Sequence, residues 1–128
     1  MLEINPETVC FLINRAKAFH AQEEVVIPTE PESPGDDWAV QVLADHEGDL
    51  TYQEFRETVE DLEPDQQIAL VALMWVGRGI YAPEEWDAAL AEAGAERTTR
   101  TADYLLATPL VADYLAEGLA AFDYRCDD

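Results

Sequence analysis

The residues best placed to do chemistry lie in "LADHEGDLTYQEF" at 43 to 55, where carboxylates alternate around a glycine as in the calcium loop of an EF-hand. Calcium needs six to eight hard oxygens, which an EF-hand draws from alternate positions of a twelve-residue loop closed by a bidentate glutamate. With Glu54 as that closing residue, Gly48 is the turn glycine, and Asp45, Glu47 and Asp49 occupy the third, fifth and seventh positions. The first position, which should bring a carboxylate, is Leu43. A metal-free reading explains the same residues: Thr51 and Glu54 have the spacing of a capping box, and Leu50 and Phe55 that of a hydrophobic staple. Because the first ligand is missing, the capping reading takes precedence. Calcium binding by Asp45, Glu47, Asp49 and Glu54 stays as the alternative.

A second constellation closes the most apolar run of the chain, "IALVALMWVG" at 68 to 77. Trp75 and Arg78 stand one turn apart, with Tyr81 and Glu84 just beyond. Arg78 next to a helix C-terminus is expected from the helix dipole alone. A guanidinium beside aromatic rings is also a common anchor for a partner's carboxylate or backbone. Trp75, Arg78, Tyr81 and Glu84 are therefore the candidate partner- or ligand-binding residues. Arg97 and Arg100 form the only other basic cluster, open to the same structural explanation.

Catalytic and metal arrangements fail one by one. Ser33, the only serine, lies in a proline-rich stretch with no rigid neighbour to position a nucleophile. Cys10 and His20, ten residues apart on one helix, are separated by about 15 Å. Cys10, Cys126, His20 and His46 lack the close spacing of zinc ligands. No Glu precedes either histidine by three residues, as a helical carboxylate site would require. Gly77 and Gly79 have no phosphate-loop context. No catalytic residue, metal or cofactor is expected, and the balance leans away from an enzyme.

The elements that must hold these residues read as helices. Asn5 before Pro6 is a cap followed by proline at the first helical position, and Val9, Leu12, Ile13, Ala16 and Phe19 then recur at helical spacing to about Ala21. Residues 22 to 37, with three prolines and Gly35, should form an exposed acidic loop. A short helix from Asp37 would bury Trp38 and Val42, with Leu43. A helix from Thr51 carries Tyr52, Phe55, Val59 and Leu62 inward. Pro64 opens the central helix at about 65 to 78, with Gly79 as its left-handed cap. Pro83 starts another, with Trp86, Leu90 and Ala93 inward. "ADYLLA" is a short helix, and Thr108 with Pro109 caps a last one in which Leu110, Val111, Tyr114, Leu115, Leu119 and Phe122 face the core. The expectation is an all-α bundle of five to seven helices around a buried helix at about 65 to 78, in one domain over 1 to 128. That length suffices for a core without metal or disulfide.

The 128 residues carry 28 acids against seven bases, for a formal charge of −21. Such a field repels nucleic acid and anionic membrane surfaces, and no apolar run reaches the roughly twenty residues of a membrane span. It suits either a basic protein partner or solvation in high salt, where self-repulsion is screened; acids spread along a whole chain usually serve solvation. A homo-oligomer is compatible with the sequence. The two cysteines at opposite ends, with no basic-then-apolar leader, read as a reduced cytoplasmic protein in which Cys10 is a small buried apolar residue.

"DQQIALVALMWVGRG" at 65 to 79, "TADYLLATPLVADYLAEGL" at 101 to 119 and the opening "INPETVCFLINRAKAF" resemble a small bacterial family of uncharacterised acidic helical proteins, a domain of unknown function. The likeness spans nearly the whole chain apart from the proline-rich loop. It implies a compact helical protein of the bacterial cytoplasm and assigns no activity to any residue. The leading expectation is a non-enzymatic protein–protein interaction module, followed by a calcium-responsive protein. An enzyme or small-ligand binder near Arg78 comes third.

Overall fold

A computed structural model of the chain describes residues 3–22, 43, 46, 48–98 and 100–126. Among them are six α-helices and no strand: α1 (Pro6–His20), α2 (Leu50–Glu60), α3 (Pro64–Arg78), α4 (Trp86–Ala95), α5 (Thr101–Leu106) and α6 (Val111–Ala121), with a 3₁₀ turn at Pro83–Glu85 before α4. The expected loop at 22 to 37 and the helix with Trp38 and Val42 lie, apart from Gln22, outside the described residues, as do Asp45 and Glu47.

The helix starts follow local chemistry. Asn5 accepts the Glu7 N–H at 2.8 Å ahead of Pro6, so two of the groups left open at a helix start are dealt with by capping and by proline's missing donor. Val9, Leu12, Ile13, Ala16 and Phe19 are buried as their spacing requires. At the start of α3, Gln66 reaches back to accept the Glu63 N–H at 3.0 Å, and Pro64 again occupies the first turn.

α3 is the axis of the bundle. Its residues Ala69 to Val76 are buried without a break, which explains an apolar run with no polar face. It packs most extensively on α6 and α4, while α1 lies between α6 and α2, and α2 rests on α5. The α3–α6 approach is close because glycines meet backbone: a Cβ on Gly77 would land on the Tyr114 carbonyl, and one on Gly118 on the Leu73 carbonyl. The only buried amide side chain of α3, Gln67, donates to the carbonyls of Val59 (3.0 Å) and Leu62 (3.2 Å) and accepts from Arg97 (3.0 Å). At the far end of α1, the His20 Nε2–H donates to the Leu106 carbonyl at 2.7 Å. Burial pushes this imidazole below its ordinary value although the carbonyl bond works the other way, so it is held neutral.

Several expectations fail for local reasons. α2 begins at Leu50, and its cap is Asp49, whose carboxylate accepts the Tyr52 N–H at 3.0 Å. Thr51 is already helical, so the Thr51–Glu54 capping box does not form, and Glu54 instead pairs with Arg15 across to α1 at 3.1 Å. Leu50 is 70 % exposed, which rules out the staple with buried Phe55. Thr108 does not cap the last helix either: its hydroxyl is buried and donates back to the Tyr104 carbonyl at 3.1 Å, ending α5. Leu110, expected inward, is 49 % exposed because α6 starts one residue later.

The largest correction concerns the cysteines. Cys10 and Cys126, 116 residues apart, form a disulfide across a Cα–Cα distance of 5.5 Å. Neither is a reduced, merely apolar side chain. Sequence separation hid the pair, because α1 packs beside α6 and the chain then reverses at Asp123. That residue has φ 66°, with Tyr124 N–H bonded to the Leu119 carbonyl at 2.9 Å. This left-handed helix ending aims 124 to 126 back across α1.

Candidate functional site

Three cavities of nearly equal size, about 240 to 250 Å³, open on the described surface, so volume does not choose between them. The first, between α2, α3 and α5, is walled by Gln67 and Arg97, which already satisfy one another and the α2 carbonyls; its polar groups are structural. The second lies along α1 and α6 beside Cys126. The third is lined by Trp75, Ile80, Tyr81, Glu92 and Glu96.

The third cavity is built by the end of α3. Gly79 takes the left-handed conformation (φ 93°), and the N–H groups of Gly79 and Ile80 bond the Trp75 carbonyl at 3.1 and 3.0 Å. Only glycine adopts this turn without a Cβ penalty. The reversal leaves Ile80 53 % exposed and lays Tyr81 against Trp75, ring centroids 6.1 Å apart and 26° from parallel. The Trp75 indole N–H is spent inside, donating to the Tyr104 hydroxyl at 2.8 Å. Trp75 is itself only 5 % exposed, so the aromatic surface offered to the cavity is mainly that of half-buried Tyr81 stacked on it.

α4 supplies the charge. Glu92 and Glu96, one turn apart, face the same cavity, Glu96 being the residue that ends the helix. A hydrogen bond from the Glu92 carboxyl, then burial, then the neighbouring negative charge hold Glu96 above the ordinary carboxylate range. Aromatic surface beside paired carboxylates attracts a cation, by cation–π attraction to the rings and charge-assisted hydrogen bonds to the acids.

Of the four candidate residues, the structure brings Trp75 and Tyr81 together. Arg78, half-buried at the last position of α3, and exposed Glu84 in the 3₁₀ turn are not among the cavity's described lining. Glu92 and Glu96 were missed. In a chain with 28 acids, two more on a helix give no signal. The signal was positional: two like charges four apart at the negative end of a helix, where neither is favourable. In the calcium alternative, Asp49 caps α2 and Glu54 pairs with Arg15, so two of its four ligands have other work.

The family model described as "Protein of unknown function (DUF3775)" matches residues 52–124. This chain belongs to that family. The match runs from α2 through α6 and takes in the whole Trp75–Glu96 cavity, whereas the opening "INPETVCFLINRAKAF" lies outside it. No curated protein and no solved structure matches the chain. Among the described residues no helix is long and apolar enough to cross a membrane.

Proposed function

We propose that this DUF3775 protein is a non-enzymatic interaction module whose Trp75–Tyr81–Glu92–Glu96 cavity receives a basic side chain, arginine or lysine, from a partner protein. The observation that carries the reading is the pairing of Glu92 with Glu96 beside two aromatic rings, an arrangement that disfavours the isolated fold and that a bound cation relieves. The sign of the ligand follows from these carboxylates, and the −21 charge of the chain steers a basic partner toward them. Exposed Ile80 at the rim adds apolar contact of the kind that flanks an anchoring residue.

The test is a pair of short peptides, otherwise neutral, that differ only in carrying arginine or its uncharged isostere citrulline. The arginine peptide binds saturably by calorimetry, the citrulline peptide is at least about ten-fold weaker (about 1.4 kcal/mol), and Glu92→Gln/Glu96→Gln removes the difference. Equal affinity for both peptides, or an unchanged preference in the double variant, contradicts the proposal.

The expectation of a cytoplasmic setting leans in part on reading both cysteines as reduced. Bonds such as Cys10–Cys126 persist mainly in oxidising compartments, so the cysteines no longer support that placement, and an oxidising setting fits them better.

A further inference from the structure

The cavity along α1 and α6 differs from the rest of this acidic surface. Its lining joins Ile13, Leu119 and Tyr124 with Lys17, Arg125 and one half of the disulfide, Cys126. The chain has seven basic residues against 28 acidic ones, so a cation has four potential carboxylate partners on average. Arg15 and Arg56 are ion-paired, and Arg97 is bonded to Gln67. Among the described residues Lys17 and Arg125 make no ion pair, and both border the same opening. The fold thus gathers two cations beside the half-buried Cys126 end of the disulfide.

We propose that this groove is a thiol-exchange site, at which Lys17 and Arg125 guide a small carboxylate-bearing thiol onto the Cys10–Cys126 disulfide. Attack is on Cys126, because its side lines the groove and Cys10 does not. The incoming thiolate forms a new S–S bond with the Cys126 sulfur while the bond to Cys10 breaks. The electron pair of the broken bond leaves on Cys10 as a thiolate, which takes a proton from water. The small thiol is oxidised to the mixed-disulfide level and Cys10 is reduced, so no further oxidant is needed. The two cations act on the approach of the anion and on the negative charge spread over three sulfurs during exchange. The product frees the 124–126 tail from α1 and leaves an acidic adduct on it.

Three two-carbon thiols of equal size decide the matter: mercaptoacetate (anionic), mercaptoethanol (neutral) and cysteamine (cationic), with rates on the intact chain referred to thiolate concentration and to the rate of the same thiolate with a small uncharged disulfide, which removes their unequal basicity. A chain of charge −21 acting only through its overall field reacts fastest with cysteamine and slowest with mercaptoacetate. The groove reverses that order. Mercaptoacetate outpaces mercaptoethanol by roughly three-fold or more at low salt, the effect of a single nearby unit charge acting through water. The advantage disappears near 1 M NaCl, where the Debye length is about 3 Å. Lys17→Gln/Arg125→Gln, both at exposed positions, slows every thiolate but mercaptoacetate most, so that the preference is lost, and peptide mapping places the first adduct on Cys126. Cysteamine fastest on the wild type, an adduct on Cys10, or a double variant that keeps the preference each overturns the proposal.

Discussion

Glu96 sits where a helix least tolerates a negative charge: at the C-terminal end of α4, four residues after Glu92, sharing a hydrogen bond with it. Like charges at that spacing cost about 0.2 to 0.5 kcal/mol, and an acid at the negative end of a helix a similar amount. Glu96→Gln should therefore stabilise the fold by about 0.5 to 1 kcal/mol at pH 7, measured by urea unfolding. The sign of the pH dependence follows from the raised value: the folded state is disfavoured only while Glu96 is ionised, so the stabilisation fades on acidification and is gone below the ordinary value of 4.5. A variant less stable than wild type at pH 7 would show that Glu96 supports the fold instead of serving a ligand. The capping of α2 teaches the same lesson at another residue. Thr51 and Glu54 read as the helix start and Asp49 only as a calcium ligand, whereas Asp49 is the cap and Glu54 is drawn away by Arg15 of α1, a tertiary contact with no local trace.

Helices were legible at Asn5–Pro6, where a cap, a proline and an apolar stripe agree, and in the unbroken apolar run of α3 closed by Gly79. They were misread at Thr108–Leu110, where the threonine hydroxyl turned back to close α5 instead of opening α6. Half of the candidate site was readable for a related reason. Trp75 and Tyr81 are joined by one local turn, whereas Glu92 and Glu96 reach them only because α4 folds back on α3. The closeness of α3 to α6 was invisible too, since Gly77 reads as an ordinary weak point inside a helix. Its real role is to let the Tyr114 carbonyl approach. Gly77→Ala should gain helix propensity and still lose about 2 to 3 kcal/mol or more, because a methyl group there must push two backbones apart. Alanine at Gly48, where a Cβ meets nothing within 4 Å, serves as the control. A neutral Gly77→Ala would mean that α3 and α6 are not packed this tightly.

At the scale of the whole molecule, the Cys10–Cys126 bond closes nearly the entire chain into one loop, 116 residues apart in sequence. Loop-closure entropy gives such a bond about 4 to 5 kcal/mol at most, with measured losses usually about 2 to 5. Cys10→Ser/Cys126→Ser should unfold at lower urea by about that energy and still fold, since the helices α2 to α6 keep their own core. Reduction of the wild type should match the double variant; a variant as stable as the oxidised wild type would show that the bond does not hold the native termini together. The −21 charge of the chain sets a negative field around the aromatic, carboxylate-walled cavity, and what enters that cavity decides its role. Nitrogen-15-labelled protein reports this through its indole N–H signals as the arginine peptide is added. The Trp75 signal, whose N–H is bonded to Tyr104 behind the cavity, should shift saturably, while that of Trp86, bonded to Glu3 away from the cavity, stays in place. An unmoved Trp75 signal at peptide concentrations that saturate binding, or an equal response to the citrulline peptide, contradicts the account.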